Sequence, residues 1–118
     1  MAVQTQLDVD ALKRAWETKD VNGILAFYAD DAEIRRINKN LPPKSPEVID
    51  KSTYADRLRD IAGRDLTTRV PTAFAGGDAA ALTFHCRYGD GTEVMSNQVL
   101  DVRDGKIVRH LEVEAWDE

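Results

Sequence analysis

Three short turns in the second half of the chain restrict what it can fold into. Ala75-Gly76-Gly77-Asp78, Gly89-Asp90-Gly91 and Arg103-Asp104-Gly105-Lys106 separate four runs between Asp65 and Trp116, rich in β-branched and aromatic residues. Gly and Asp tolerate the positive φ angles of tight hairpins. The pattern predicts a four-stranded antiparallel meander. Such a meander has one apolar face that must be covered. Everything before Asp65 reads as the cover.

The 118 residues suffice for one compact domain and not two. With 42% hydrophobic residues the chain can bury a core, and its net charge of −5 opposes binding to nucleic acid or to an anionic membrane. Cys86 is the single cysteine. It allows no intrachain disulfide and no cysteine-rich metal site, and it fits a reducing cytoplasm. No apolar run approaches the ~20 residues of a membrane span, and Met1-Ala2-Val3-Gln4 lacks the pattern of a signal peptide.

In chain order, Asp8 caps a first helix whose apolar stripe is Val9, Leu12 and Trp16, with Ala15 beside it and Lys13, Arg14 and Glu17 on the wet side. Asp20 starts a second, short helix with Ile24, Phe27 and Tyr28 as its buried face, and Asp30-Asp31 ends it. Ala32 to Asn38 reads as a first strand. Residues 39–51, with Pro42, Pro43 and Pro46, read as a long loop, either a binding loop or a stiffened connector. A third helix follows, capped by Ser52 and stopped by Gly63, with Tyr54, Leu58 and Ile61 facing inward. The strand from Leu66 to Ala75 carries Leu66, Val70 and Phe74 at even spacing, and Pro71 marks an edge or a bulge.

Asp20-Val21-Asn22-Gly23-Ile24, Phe27-Tyr28-Ala29-Asp30-Asp31-Ala32 and Asp104-Gly105-Lys106-Ile107-Val108 resemble the nuclear transport factor 2-like superfamily. The likeness is to its SnoaL-like and ketosteroid isomerase-like branch, and it runs from about Val9 to Trp116. It implies an α+β fold, a cystatin-like roll. A cone-shaped, curved antiparallel sheet would wrap around three helices of the N-terminal half and leave a conical pocket. The whole chain, 1–118, would be that one domain. Many members dimerise through the outer sheet face, so the resemblance implies a homodimer.

The ketosteroid isomerase pattern also implies which side chains face the pocket. It puts that family's catalytic base at Arg36, its tyrosine acid at Leu12 and its second acid at Gln98. All three identities are missing here, which argues against that activity by that mechanism. Strand alternation extends the inner set from these positions. Ile34, Arg36 and Asn38 share it on the first strand. Val94, Ser96, Gln98, Leu100 and Val102 share it on another, as do Leu82, Phe84, Cys86 and Tyr88 on the strand between. Val108, His110, Glu112 and Glu114 follow on the last, unless a bulge reverses them. Ile107, Leu111 and Val113 would then form an apolar outer face.

The expected wall combines Trp16, Tyr28, Tyr54, Phe84 and Leu100 with Arg36, Gln98, His110 and Glu112, the usual make-up of a small-molecule site. Arg36 either holds a ligand oxyanion or forms a buried ion pair with Glu112 or Glu114. His110 either moves a proton, oriented by Glu112, or serves as a hydrogen-bonded wall residue. Gln98 orients a ligand or closes the pocket. His85 is expected to face outward with Thr83 and Arg87, and Cys86 to be an inert core residue. Two histidines 25 positions apart make no zinc site, and Gly76-Gly77 sits in a hairpin, not in a phosphate loop. The expectation is therefore a cofactor-independent isomerase, dehydratase or cyclase, acting on a small apolar carbonyl compound by proton transfer. The alternatives are a non-catalytic binding module for an apolar ligand and a plain dimerisation domain.

Overall fold

A computed structural model describes residues 6–118. The elements run α1 (Val9–Glu17), α2 (Val21–Leu25), β1 (Tyr28–Ile37), β2 (Glu47–Asp50), α3 (Lys51–Ala62), β3 (Leu66–Gly76), β4 (Ala79–Tyr88), β5 (Glu93–Arg103) and β6 (Lys106–Trp116). The strands form one six-stranded sheet in the order β2-β1-β6-β5-β4-β3. The meander β3 to β6 is antiparallel throughout. The sheet as a whole is mixed and not purely antiparallel, because β1 pairs with β6 in parallel. The expected α+β roll, a curved sheet over three helices, is otherwise the fold observed.

Each helix begins at an aspartate whose side chain accepts a backbone N–H of the first turn: Asp8 from Ala11, Asp20 from Gly23 and Asp50 from Thr53. The third cap is thus Asp50 and not Ser52. Its carboxylate reaches the Thr53 N–H at 2.8 Å, which leaves Ser52 inside the first turn. The helices lay Leu12, Ala15, Ile24, Tyr54 and Leu58 onto Ile34, Val70, Leu82, Phe84, Leu100, Val102 and Ile107 of the sheet.

Four expectations change. Residues 39–51 are not all loop: Glu47-Val48-Ile49-Asp50 pairs with β1 as an edge strand beginning just after Pro46. The first strand starts at Tyr28 rather than Ala32, and Asp30-Asp31 lies in its register irregularity between Tyr28 and Glu33. On β3 the register shifts between Arg69 and Thr72, around Pro71. That shift flips the alternation, so Val70 is buried while Phe74 points out at 63% exposure. On β6, Asp101 pairs with Arg109 but Val102 pairs with Ile107, so Val108 is the extra residue. Ile107 is therefore core, and the inner set of this strand begins at His110.

Leu111 and Val113 do face outward. With Val48, Phe74, Met95 and Val99 they give the convex side of the sheet a band of exposed apolar side chains. No helix among the described residues is long and apolar enough to cross a membrane.

Candidate functional site

Between the concave face of the sheet and helices α1 and α3 lies a cavity of about 120 Å³. A dry cavity of ~150 Å³ admits benzene, so the enclosed part suits one small ring or a short branched chain. Trp16 of α1, Leu58 and Ile61 of α3, Leu66 of β3 and Phe84 of β4 supply an apolar side. Trp16 and Phe84 meet edge to face, their ring centroids 4.9 Å apart.

The polar side is a row set by strand register. Glu47 stands opposite Arg36, Arg36 opposite Glu112, and Glu112 opposite Gln98. All four line the cavity, and so do Glu114 and Arg57. Residues on the inner parity of β2, β1, β6 and β5 must share this wall, because side chains alternate along each strand.

Behind the wall runs a hydrogen-bonded chain. The Tyr28 hydroxyl lies 2.7 Å from His110 Nδ1, and His110 Nε2 lies 3.0 Å from Glu112 Oε1. Gln98 Nε2 donates to the same Oε1 at 3.1 Å. A singly protonated imidazole satisfies the chain, with Tyr28 O–H donating to Nδ1 and Nε2–H donating to the carboxylate. Glu112 Oε1 thus takes two donors, and Oε2 takes part in neither bond. Trp16 Nε1, Tyr54 Oη and Gln98 Oε1 are buried without a hydrogen-bond partner among the described residues. Burial pushes the Tyr28 and Tyr54 phenols well above their ordinary value, so both keep their protons.

Charge is distributed unevenly along the row. Arg57 grips Glu47 with two bonds, of 2.5 and 2.8 Å. Arg36 is held loosely, 3.2 Å from Glu47 and 3.5 Å from Glu114, and its Nε makes no hydrogen bond. Asn38 donates to Glu114 at 2.8 Å. Burial works to raise the Glu112 carboxyl, but the His110 ring and then Arg36 outweigh it and hold the group below the usual carboxylate range. Glu114 moves the other way: burial and then the neighbouring Glu112 charge raise it. The two carboxyls come within hydrogen-bonding reach of each other when one is protonated. Glu112 is thus the stronger acid of the pair, and Glu114 is the member that takes up a proton first as the pH falls.

Of the expected wall residues, Trp16, Arg36, Tyr54, Phe84, Gln98 and Glu112 line the cavity. Tyr28, Leu100 and His110 do not. They lie in the core behind it, at 2%, 0% and 1% exposure. The carboxylate, not the imidazole, reaches the cavity, which reverses the expected order of His110 and Glu112. Cys86 lines the cavity beside Thr68, rather than lying wholly in the core. Glu17 remains exposed but accepts the Val70 N–H at 2.9 Å, filling a donor next to the bulge on edge strand β3. His85 is half-buried and meets Glu93 on the neighbouring strand at 2.9 Å. Glu47 and Arg57 were not foreseen. Arg57 falls on the same helical face as Tyr54, Leu58 and Ile61, so spacing alone could have found it. Glu47 required the short strand after Pro46. Among the described residues no group of three or more His, Cys, Asp or Glu is arranged to hold a metal ion.

Residues 9–110 match the family model of the SnoaL-like domain. No curated protein matches the chain. Several solved structures are similar. An inferred ketosteroid isomerase from Kribbella flavida is 22% identical with a TM-score of 0.71, over 92% of this chain and 74% of that one. A nuclear transport factor 2-like protein of unknown function from Mesorhizobium loti is 17% identical with a TM-score of 0.73, over 88% and 84%. An LEH-like epoxide hydrolase from M. tuberculosis is 20% identical with a TM-score of 0.64, over 90% and 78%. Identities this low speak for a shared fold.

Proposed function

Because the chain belongs to the SnoaL-like domain family, we propose that its cavity performs cofactor-independent proton transfer on a small, mostly apolar carbonyl compound. The observation that carries this reading is the state of Glu112. Its Oε1 is fixed by His110 and Gln98, while its Oε2 is left free of both in the polar wall of a cavity whose other side is apolar. Glu112 Oε2 takes a proton from the carbon beside the carbonyl, and the C–H electron pair moves into the enolate. The enolate oxygen accepts hydrogen bonds from the loosely held Arg36 guanidinium. Glu112 then returns the proton at another carbon, giving isomerisation. Where the substrate carries a β-hydroxyl, that group leaves as water with the Glu114 proton, giving dehydration. His110 acts here as a positioning residue, holding the carboxylate from behind.

The test is deuterium uptake from heavy water into a panel of six-membered cyclic ketones and enones, followed by proton NMR. Uptake above the buffer rate supports the reading, and none across the panel overturns it. The pH profile follows from the two carboxyls. Glu112 must be ionised, so the rate should climb through a value below the usual carboxylate range. Glu114 must supply its proton to a leaving hydroxyl, so dehydration alone should fall again above that range. Isomerisation should stay on its plateau there. A dehydration rate that shows no fall on the alkaline side removes Glu114 from the scheme.

One observation favours a second reading, a binding module without chemistry: a carboxyl held low is a weak base. Ligand-induced change in Trp16 fluorescence with no deuterium uptake would select it. In either case we take the protein to be a homodimer in a reducing cytoplasm, paired through the apolar convex band of Phe74, Val99, Leu111 and Val113. Sedimentation velocity should read twice the mass of the 13.2 kDa chain. A single monomeric species at micromolar concentration would remove the dimer.

A further inference from the structure

The cavity holds more carboxylates than cations. Glu47, Glu112 and Glu114 line it against Arg36 and Arg57. Arg57 is committed to Glu47 by its two short bonds. Arg36 alone then faces Glu112 across the strand pair and Glu114 at 3.5 Å. His110 meets only Glu112 of the three carboxylates, and from the core side. Two carboxyls within hydrogen-bonding reach of each other thus share one loosely held guanidinium, an arrangement that a proton or another cation completes.

Position says where that cation would sit. Arg36 occupies the β1 side of Glu112 and Glu114. On the β5 side their neighbours across the register are Gln98 and Ser96, and beyond Ser96 stands Phe84. Gln98, Ser96 and Phe84 carry no charge, and the cation further on, near Cys86, is Lys19, whose Nζ donates to the Arg64 carbonyl. A second observation points the same way. Gln98 is 2% exposed, and its Oε1 has no hydrogen-bond partner among the described residues. Its Nε2 must face Glu112, because a carboxylate cannot donate when ionised, so the amide cannot flip to bury the unmet acceptor elsewhere. Glu112, Glu114 and Gln98 are three acceptors on one side of the cavity, against the Trp16 and Phe84 rings, whose faces attract cations.

We infer that the cavity takes a small organic cation, a protonated amine carried on one ring or a short branched chain. The ammonium N–H groups meet Glu112, Glu114 and Gln98 Oε1, and the apolar body lies against Trp16 and Phe84. This rests on the cavity being a ligand site, which both readings above share, and not on the chemistry of either. Where proton transfer does occur, such an amine is expected to inhibit it by taking the place of the shared proton.

The experiment compares benzylamine, benzyl alcohol and benzoate, which share a ring and differ in charge, by calorimetric titration near neutral pH. Charge-assisted hydrogen bonds exceed neutral ones by enough to expect benzylamine to bind about tenfold more tightly than benzyl alcohol. Benzoate should not bind. Glu114→Gln should erase the advantage of the amine over benzyl alcohol, with an unchanged melting temperature reporting an intact fold. Equal binding of amine and alcohol, or tighter binding of benzoate, overturns the inference but leaves the cavity a ligand site. An amine advantage that survives Glu114→Gln places the amine elsewhere and overturns it too. Absence of binding by all three overturns both the inference and the cavity reading. Amine binding without deuterium uptake in any ketone supports the inference and removes only the enzymatic reading.

Discussion

Glu112→Gln is expected to slow deuterium uptake about 10²–10⁴-fold, the contribution of a positioned general base. The substitution is nearly isosteric. A glutamine Oε1 can still accept from His110 Nε2 and Gln98 Nε2, which lie 3.0 and 3.1 Å from the present oxygen. The wall should therefore keep its shape, with a melting temperature close to that of the parent. Substrate should still bind, because Trp16, Tyr54 and Phe84 are untouched. A loss of rate with retained binding is the pattern of a group needed in the transition state and not in the ground state. An unchanged rate would show that some other group takes the proton. Of the titratable groups in the cavity, Glu47 is closed off by Arg57 and Cys86 is pushed up by burial. Neither is placed to do it, which leaves Glu114.

The sequence carried the fold because its local signals agree. Asp104 and Gly105 both adopt positive φ, 54° and 76°, as a tight two-residue hairpin turn requires. The meander follows from its turns, whereas the sides of Arg36 and Gln98 follow from the family resemblance, which alternation carries to their strand neighbours. Alternation failed where a strand gained a residue. Pro71 announced the irregularity on β3 but not its consequence for Phe74. Val108 gave no signal at all, since any residue can occupy that bulge. β2 was missed because Glu47-Val48-Ile49-Asp50 is too short to show a period and follows three prolines. With it went Glu47, and so the partner that occupies Arg57. The depth of a side chain was also not legible. Period two says that His110 and Glu112 share a face, but not that the sheet curves so that one lies in the core and the other in the cavity wall.

His110→Ala is expected to destabilise the protein by about 3–5 kcal/mol, as loss of a buried ring together with its hydrogen bonds does. The imidazole is buried at 1% exposure and packs against two rings, with centroids 5.9 Å from Tyr28 and 5.3 Å from Tyr54. Its removal opens a void among them. It also strands the buried Tyr28 hydroxyl and strips one of two donors from Glu112 Oε1. Each unmet group costs ~1–3 kcal/mol. Tyr28→Phe removes the other end of the chain and leaves only Nδ1 unmet, so it should cost ~1–2 kcal/mol. Urea denaturation measures both, with the slope of the transition checking that the unfolded state is unchanged. The ordering discriminates between roles. If His110 were the proton carrier, His110→Ala and Glu112→Gln would both lower the rate with little loss of stability. If it positions Glu112 from the core, His110→Ala falls mainly on stability while Glu112→Gln falls mainly on rate. A His110→Ala protein as stable as its parent would mean that the Tyr28–His110–Glu112 chain does not hold the wall, and the Glu112 Oε2 on which the proposed chemistry rests would lose its support.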